Sequence, residues 1–279
     1  MHSSTLQHAT IKNGRIQITA ATKSTITLRV VLSSLAIFTL LAPFLLDYNN
    51  IDWQTAIPMT LSNLQLMFLQ PGLTQITFST VILQVLITLA LAFIATVLGA
   101  VVSFFLAVLS AKNITRSPIS NIIIGFNAFI RAVPTVLWVL IFAIAAGLGA
   151  VACVLGMMLH TIAYLTKAYA ESIEEMGDEP IEALRASGAN WWHIVRHAVI
   201  PQCSSYIVSW TFLRFETNFD VAIAMGAAAA AGGIGFELFM ASSFYYDLHE
   251  VGMITYCALI VAFILEFFAV RIKRQLMEK

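Results

Sequence analysis

An all-α membrane protein crossing the bilayer about six times is the fold class this sequence predicts, on three observations. Hydrophobic residues make up 59% of the 279 and charged residues only 11%, against roughly 25% charged in soluble domains. Asp, Glu, Lys and Arg are absent from 53–111 and 132–166, with shorter clean runs at 30–46, 199–213, 221–236 and 251–265. Finally, a six-span threading puts nearly all basic residues on one side. The 15 basic and 15 acidic residues cancel, so the total charge points to neither nucleic acid nor an acidic partner. Composition excludes a soluble enzyme, a nucleic-acid binder and a disordered chain.

A helix rising about 1.5 Å per residue needs about 20 residues to cross the hydrocarbon. On that measure the spans fall at 28–46, 80–109, 119–146, 149–170, 199–220 and 250–271. They organise the chain into a tail at 1–27, a first span with a linker at 28–79, a main transmembrane domain at 80–271 that includes a long loop at 171–198, and a tail at 272–279. The Gly-rich 221–249 segment stays open between loop, half-helix and span. The first 29 residues are polar and rich in Ser and Thr, and the apolar run ends at Leu46 without a small-residue cleavage site. The first span is therefore expected to be an uncleaved anchor.

Thirteen basic residues share one side of this threading: Lys12, Arg15, Lys23, Arg29, Lys112, Arg116, Lys167, Arg185, Arg196, Arg271, Lys273, Arg274 and Lys279. The opposite loops lack Lys and Arg and hold Asp47, Asp52, Glu237, Asp247 and Glu250. The positive-inside rule then predicts both termini in the cytoplasm of a multi-pass protein. Arg131 and Arg214 are the exceptions and fall inside spans. Cys153, Cys203 and Cys257 are scattered in apolar surroundings without a CxxC, the pattern of buried, inert thiols.

The long loop reads ESIEEMGDEPIEALRASGANWWHIVRHA over 171–198. Six carboxylates, Glu171, Glu174, Glu175, Asp178, Glu179 and Glu182, precede Gly188, and an aromatic and basic segment follows. Helix, turn, helix is predicted, with Pro180 in a first turn and Asp178 or Glu179 near the cap. Ile181 and Leu184 would give the first helix an apolar face, and Trp191, Trp192, Ile194 and Val195 would give one to the second. Such a hairpin suits docking of another protein. His193 and His197 have an i, i+4 spacing that can chelate zinc, but no Glu follows the first and no third ligand is near. They are expected to be surface histidines, with no metal site.

Glu182-Ala183-Leu184, three residues, Gly188, nine residues, then Ala198-Val199-Ile200-Pro201 resembles the EAA loop of ABC importer permeases. The spacing from Glu182 to Pro201 matches throughout. Leu184, Ala198 and Ile200 replace the usual Ala, Ile and Leu. The resemblance implies a type I ABC importer permease fold in which Glu182, Ala183, Gly188 and Pro201 belong to the element that couples to a cytoplasmic ATPase. Flanking stretches are similar, in order and spacing, to the phosphonate-type (PhnE-like) permeases: Arg131 to Pro134, Gly147-Leu148-Gly149, Leu159-His160-Thr161, Glu171 to Glu175, Pro201-Gln202, Arg214-Phe215-Glu216 with Asn218, and Ala231 to Gly235. Together they cover about 80–271. That family's properties imply a bacterial inner-membrane importer of phosphonates, phosphite or hypophosphite. The implied partners are a periplasmic or lipoprotein substrate-binding protein, two copies of an ABC ATPase, a second permease copy and membrane lipid. One departure is Asn218-Phe219-Asp220, where the subfamily has Asn, any residue, Arg; the charge reversal puts an anion-contact role there in doubt.

Charges at bilayer depth cost at least about 2.5 kcal/mol and usually face a bundle interior, an aqueous path or a partner. Arg131, followed by the helix-breaking Pro134, offers a bidentate contact to an oxyanion, an interhelical salt bridge with Glu216 or Asp220, or contact with backbone carbonyls. Arg214, Glu216, Asn218 and Asp220 form a second polar set, open between translocation path and packing; residues two apart do not share a helical face. Pro134, Gly232, Gly233 and Gly235 are gate or hinge candidates. The glycines lack the Lys and Ser or Thr of a nucleotide loop, so tight packing or a hinge is expected there. His160 is expected as a neutral imidazole bonded to a neighbouring helix.

No nucleotide-binding motif occurs, so no cofactor is expected on this chain and ATP and Mg belong to the partner. An ion-coupled secondary transporter would show two similar halves, and the loop would then be unexplained. An ABC permease for another small solute is the other alternative. A membrane enzyme would need convergent acid, base or metal groups, and the polar residues are too scattered.

Overall fold

The computed structural model describes residues 9–12, 15–18, 23–45, 51–115 and 117–277; Arg116, Lys279 and most of the 1–27 tail, named above, lie outside the described residues. It divides into two compact units, Met1–Thr60 and Leu61–Lys279.

In the first unit, Ala9–Lys12 pairs antiparallel with Arg15–Ile18, Ala9 opposite Ile18 and Lys12 opposite Arg15. The all-α class predicted from the sequence includes no such element; the sequence signal for it is Asn13-Gly14 between two alternating stretches. Helix α1 (Lys23–Leu45) carries Pro43 and is apolar enough to span a membrane over Ser24–Leu45. Helix α2 (Trp53–Leu69) begins here too, in a stretch expected to be linker. Asp52 caps it, accepting the Gln54 N–H at 3.1 Å and the Thr55 hydroxyl at 3.0 Å. Its polar residues masked it, because a span search sees only apolar runs.

The second unit is a helical bundle. Its long members are α3 (Phe78–Ser110), α6 (Ala150–Glu175), α9 (Ile200–Ala228) and α11 (Leu248–Met277), with the shorter α4 (Ser117–Ala132) and α5 (Thr135–Ala146). At 33 residues α3 is about 50 Å long, well beyond the hydrocarbon thickness. Small residues let these helices close up: a Cβ on Gly99 would lie 2.7 Å from the Thr161 methyl, and one on Gly156 would collide with Val139. Large apolar side chains point outward instead, Ile122, Ile144 and Phe263 among them, as a lipid-facing surface requires.

Among the described residues, four helices are long and apolar enough to cross a membrane, or five if α4 and α5, bent by 89° at Val133-Pro134, form one broken span. Six were expected. The difference is the 199–220 span, which lies within α9, a helix long enough to cross but carrying Arg214, Glu216 and Asp220. Helix α6 also runs on through Glu171, Glu174 and Glu175, which were expected in the loop; carboxylates do not end a helix that has left the hydrocarbon. Helix α9 likewise continues to Ala228, and the open 221–249 segment resolves into the end of α9, a short α10 (Ile234–Met240), a π turn at Ala241–Tyr245 and the start of α11.

Loop 70–76 is clamped to the head of α11. Glu250, 1% exposed, accepts the Gln75 and Ile76 N–H groups, each at 3.2 Å, and the Thr74 hydroxyl at 3.2 Å. The one Thr74 hydroxyl proton is shared between Glu250 and the nearer Asp247, and the Gly72 N–H reaches the His249 carbonyl at 3.1 Å. A Cβ on Gly252 would collide with the Met67 carbonyl, so the end of α2 also seats closely on α11.

Candidate functional site

The 176–200 segment forms the hairpin its pattern predicts. Helix α7 (Glu179–Ala186) has Pro180 in its first turn, and α8 (Trp191–Ile194) passes through a π turn at Val195–Val199 into α9. Asp178 stands at the N-cap without a side-chain cap bond, whereas Asn190, not anticipated, caps α8 by accepting the His193 N–H at 2.9 Å. Gly188 takes φ +82, and its N–H bonds Arg185 O at 3.0 Å while Ala189 N–H bonds Leu184 O at 3.0 Å. This is a Schellman closure, in which glycine supplies the left-handed residue. Pro201 lies in the first turn of α9; it has no N–H for the His197 carbonyl, and the wide turn sits at that gap.

Ile181, Ile194 and Val195 are buried in a cluster with Tyr169, Ile173 and Val199, which anchors the hairpin to the bundle. Trp192 departs from the expected apolar face and is 60% exposed. Glu182, Ala183 and Gly188 are exposed, as are His193 and His197. The hairpin therefore shows carboxylate, small residues and an indole on its outer surface. Its inner side is stitched to the α3–α4 connection. Arg185 donates to Asn113 O at 3.2 Å, Asn113 Nδ2 to Ile173 O at 2.9 Å, and the Lys112 N–H to Glu174 at 2.8 Å.

The polar set in α9 is split. Arg214 is 7% exposed and turned inward: Nε donates to Thr161 Oγ1 at 3.1 Å, a terminal nitrogen lies 3.3 Å from His160 Nδ1, and the guanidinium sits 5.1 Å above the Tyr164 ring. An arginine only donates, so His160 Nδ1 accepts, which is the neutral, interhelical role expected of it. Asn218, fully buried, donates to Thr96 at 2.8 Å and to Thr161 at 2.9 Å. These residues tie α3, α6 and α9 together in the middle of the bundle. Glu216 and Asp220 instead share a small cavity of about 110 Å³ with Glu266 of α11. A salt bridge between Arg131 and Glu216 or Asp220, one of the alternatives for Arg131, is absent; among the described residues the ion pair within 4 Å is Lys167–Glu171, at 3.4 Å.

Arg131 occupies the last turn of α4, just before the break at Pro134, which N-caps α5. It lines a cavity of about 340 Å³ between the ends of α3, α4 and α6, with Asn127, Thr166 and Lys112. No single run of the sequence holds these residues, so nothing in its order marks the cavity.

Gly232 and Gly233, at φ +77 and +78, turn the chain into α10. The amides there are already engaged: Gly233 N–H donates to Gln84 and Ile234 N–H to Thr88, each at 2.9 Å. A Cβ on Gly235 would collide with the Ile223 carbonyl. Gly233 and Gly235 thus allow close packing of α10 on α3 and α9. Cys153 and Cys203 are buried, whereas Cys257, expected buried, is partly exposed toward the lipid-facing side of α11.

The hairpin and the helices that carry it lie within the stretch that matches a known family. Residues 103–278 match the family described as binding-protein-dependent transport system inner membrane component. The chain belongs to that family. It is 34% identical over 186 residues, 65% of this chain and 66% of the relative, to the phosphite transport system permease protein PtxC of Stutzerimonas stutzeri. It is 32% identical over 192 residues, 68% of this chain and 36% of the relative, to the phosphate-import permease protein PhnE of Mycolicibacterium smegmatis. The chain thus spans two thirds or less of the length of these curated relatives. The methionine ABC transporter MetNI, in an inward-facing conformation, superposes with a TM-score of 0.66 at 20% identity, over 73% of this chain and 99% of that one. The fold is that of a type I ABC importer permease.

Proposed function

We propose that this chain is the permease subunit of an ATP-driven importer for phosphonates or related phosphorus oxyanions such as phosphite and hypophosphite. The observation that carries the proposal is the Schellman-closed α7–α8 hairpin, with Glu182 and Ala183 exposed and Ile181 and Ile194 buried beneath. A partner can grip that rigid projection and move the bundle through it. The phosphite and phosphate-import permeases among the relatives support the phosphorus class.

On this reading the hairpin end and both termini face the cytoplasm of a bacterial inner membrane. Two ABC ATPases, binding ATP and Mg, engage two permease copies, and a periplasmic or lipoprotein binding protein delivers cargo to the opposite end. This chain performs no covalent chemistry. Arg131 is the preferred path residue; Arg214 and Asn218, with every partner engaged, hold the bundle together.

One observation favours a second reading, a permease for another small solute. Glu216, Asp220 and Glu266 converge on one face and would repel a multiply charged anion. Screening the binding protein against phosphonates, phosphite, hypophosphite and phosphate decides between them. Reconstituted with its ATPase and binding protein, the chain should support ATP-dependent uptake of the ligand so identified. Uptake by the chain alone, driven by a proton or sodium gradient, would sink the proposal.

A further inference from the structure

Among the described residues, four buried side-chain polar atoms have no hydrogen-bond partner, and three of them, Asn127 Oδ1, Arg131 Nε and Thr166 Oγ1, belong to residues that line the single cavity between α3, α4 and α6. Asn127 is 3% exposed and Thr166 1%. An unpaired buried polar atom costs about 1–3 kcal/mol, and buried polar groups are nearly always paired. Three in one cavity of about 340 Å³ mark a place shaped for a polar occupant.

The lining defines its chemistry. Asn127 and Arg131 stand at i and i+4 on α4 and therefore share a face, opposite Thr166 and Ala170 of α6. Arg131 Nε and the Thr166 hydroxyl can donate to the oxygens of a tetrahedral anion, and Asn127 Oδ1, which only accepts, can take a hydroxyl proton that the anion still carries. Lys112 and Lys167 stand at the mouth. Glu171 is paired with Lys167 and Glu174 accepts the Lys112 N–H, so three cations against two carboxylates leave the lining with one net positive charge. The two carboxylates also favour an occupant that still carries a hydroxyl proton.

We infer that this cavity binds a tetrahedral oxyanion at the hairpin end of the bundle, held by Arg131, Thr166 and Asn127. The occupant is either free cargo or the phosphate of a lipid headgroup. The choice of phosphorus anions as cargo rests on the proposed function; the site itself rests on the unpaired atoms.

The test uses the full-length chain in phosphatidylcholine nanodiscs, reading the unfolding midpoint with phosphite, methylphosphonate, phosphate or sulfate, and repeats it with phosphatidylglycerol in the disc. Without anion, Thr166→Val and Asn127→Leu should unfold at the wild-type temperature or above it, because each removes an unpaired polar atom. Each should nonetheless weaken the anion-dependent rise in midpoint, with apparent affinity down at least about tenfold, and Arg131→Gln should abolish the rise. A free occupant gives the rise in both discs. A lipid occupant raises the wild-type midpoint in phosphatidylglycerol and removes the response to added anion, an effect the variants lack. Either result supports the site, and a response to sulfate alone supports it while removing the phosphorus class. The inference is overturned by a wild type insensitive to every anion and to phosphatidylglycerol, by a rise of equal size in all three variants, or by destabilisation of both Thr166→Val and Asn127→Leu in the empty protein. Uptake by the assembled transporter alongside any of those results would leave the proposed function standing.

Discussion

At Gly188 nothing lies within 4 Å of where a Cβ would be, yet the φ of +82 is one an L side chain rarely adopts. The position is constrained by backbone conformation and not by space. Gly188→Ala should therefore cost about 1–2 kcal/mol locally and reopen the hairpin, leaving the bundle folded while substrate-stimulated ATP hydrolysis by the assembled transporter falls. Unchanged stimulation with ATPase subunits still co-purifying would refute the docking role. In mid-bundle, Thr161 accepts from Arg214 and Asn218 together. Thr161→Val strips a charged donor of a partner and should destabilise by about 1.5–3 kcal/mol. Asn218→Leu should cost only about 1 kcal/mol, because Thr96 keeps its bond to Ala92 O at 2.6 Å. Unfolding of the reconstituted variants checks the order; the reverse order would mean that Arg214 is held by His160 and Tyr164 instead.

Among the elements, the clamp between loop 70–76 and α11 is the one whose strength should follow pH. The Thr74 hydroxyl chiefly, and then the Glu250 and His249 N–H groups, hold the Asp247 carboxyl below the usual aspartate range, against a smaller opposing effect of burial. A depressed folded value means stabilisation that is complete above the ordinary aspartate pKa and is lost as pH falls through the lowered one. Hydrogen exchange of the 72–76 amides, corrected for intrinsic rates, should accelerate on acidification, and Asp247→Asn should flatten that dependence. Wild-type protection that stays constant through the acid range would remove the Asp247 charge from the clamp. The short α10 responds to volume rather than charge: Gly235→Ala would press a methyl into the Ile223 backbone, which cannot swing aside as a side chain can. Overpacking of this kind costs about 1–3 kcal/mol or more, read as lost expression of folded protein.

How much of these elements the residue order disclosed depends on what marks them. Pro134 marks the 89° break and Gly188 the hairpin turn, because each imposes a backbone conformation by its own covalent structure. The end of α6 was missed because charge was taken for loop, although a helix stays hydrogen-bonded after it leaves the hydrocarbon, and the end of α9 fell in the Gly-rich stretch that stayed open. Helix α2 was missed because its 17 residues, apolar but interspersed with Gln, Thr, Ser and Asn, make no apolar run of spanning length. Of the candidate site, Arg131 was legible as a lone charge in an apolar run. Asn127 and Thr166 were not, since an unpaired atom exists only relative to neighbours 39 residues away in the chain.

For the whole molecule, the distribution of basic residues and the position of the hairpin make one joint claim about sidedness. With Cys153, Cys203 and Cys257 replaced, Ser187→Cys in the hairpin turn and Ser242→Cys beyond α10 should label with an impermeant maleimide from opposite faces of the membrane, the former only in inverted vesicles. Labelling of both from one face would overturn the threading. In that frame the α3–α4 connection acquires a mechanical meaning. Connections between helices commonly tolerate added residues. This one is bonded to α6 through Lys112 and Asn113 and to α7 through the Asn113 carbonyl. A push on the hairpin is therefore delivered along two routes at once, and the second passes through Lys112 at the mouth of the oxyanion cavity. The connection acts as a crossbar, and one inserted residue within 111–115 should leave the helices standing while disconnecting motion at one end of the bundle from the cavity beside it.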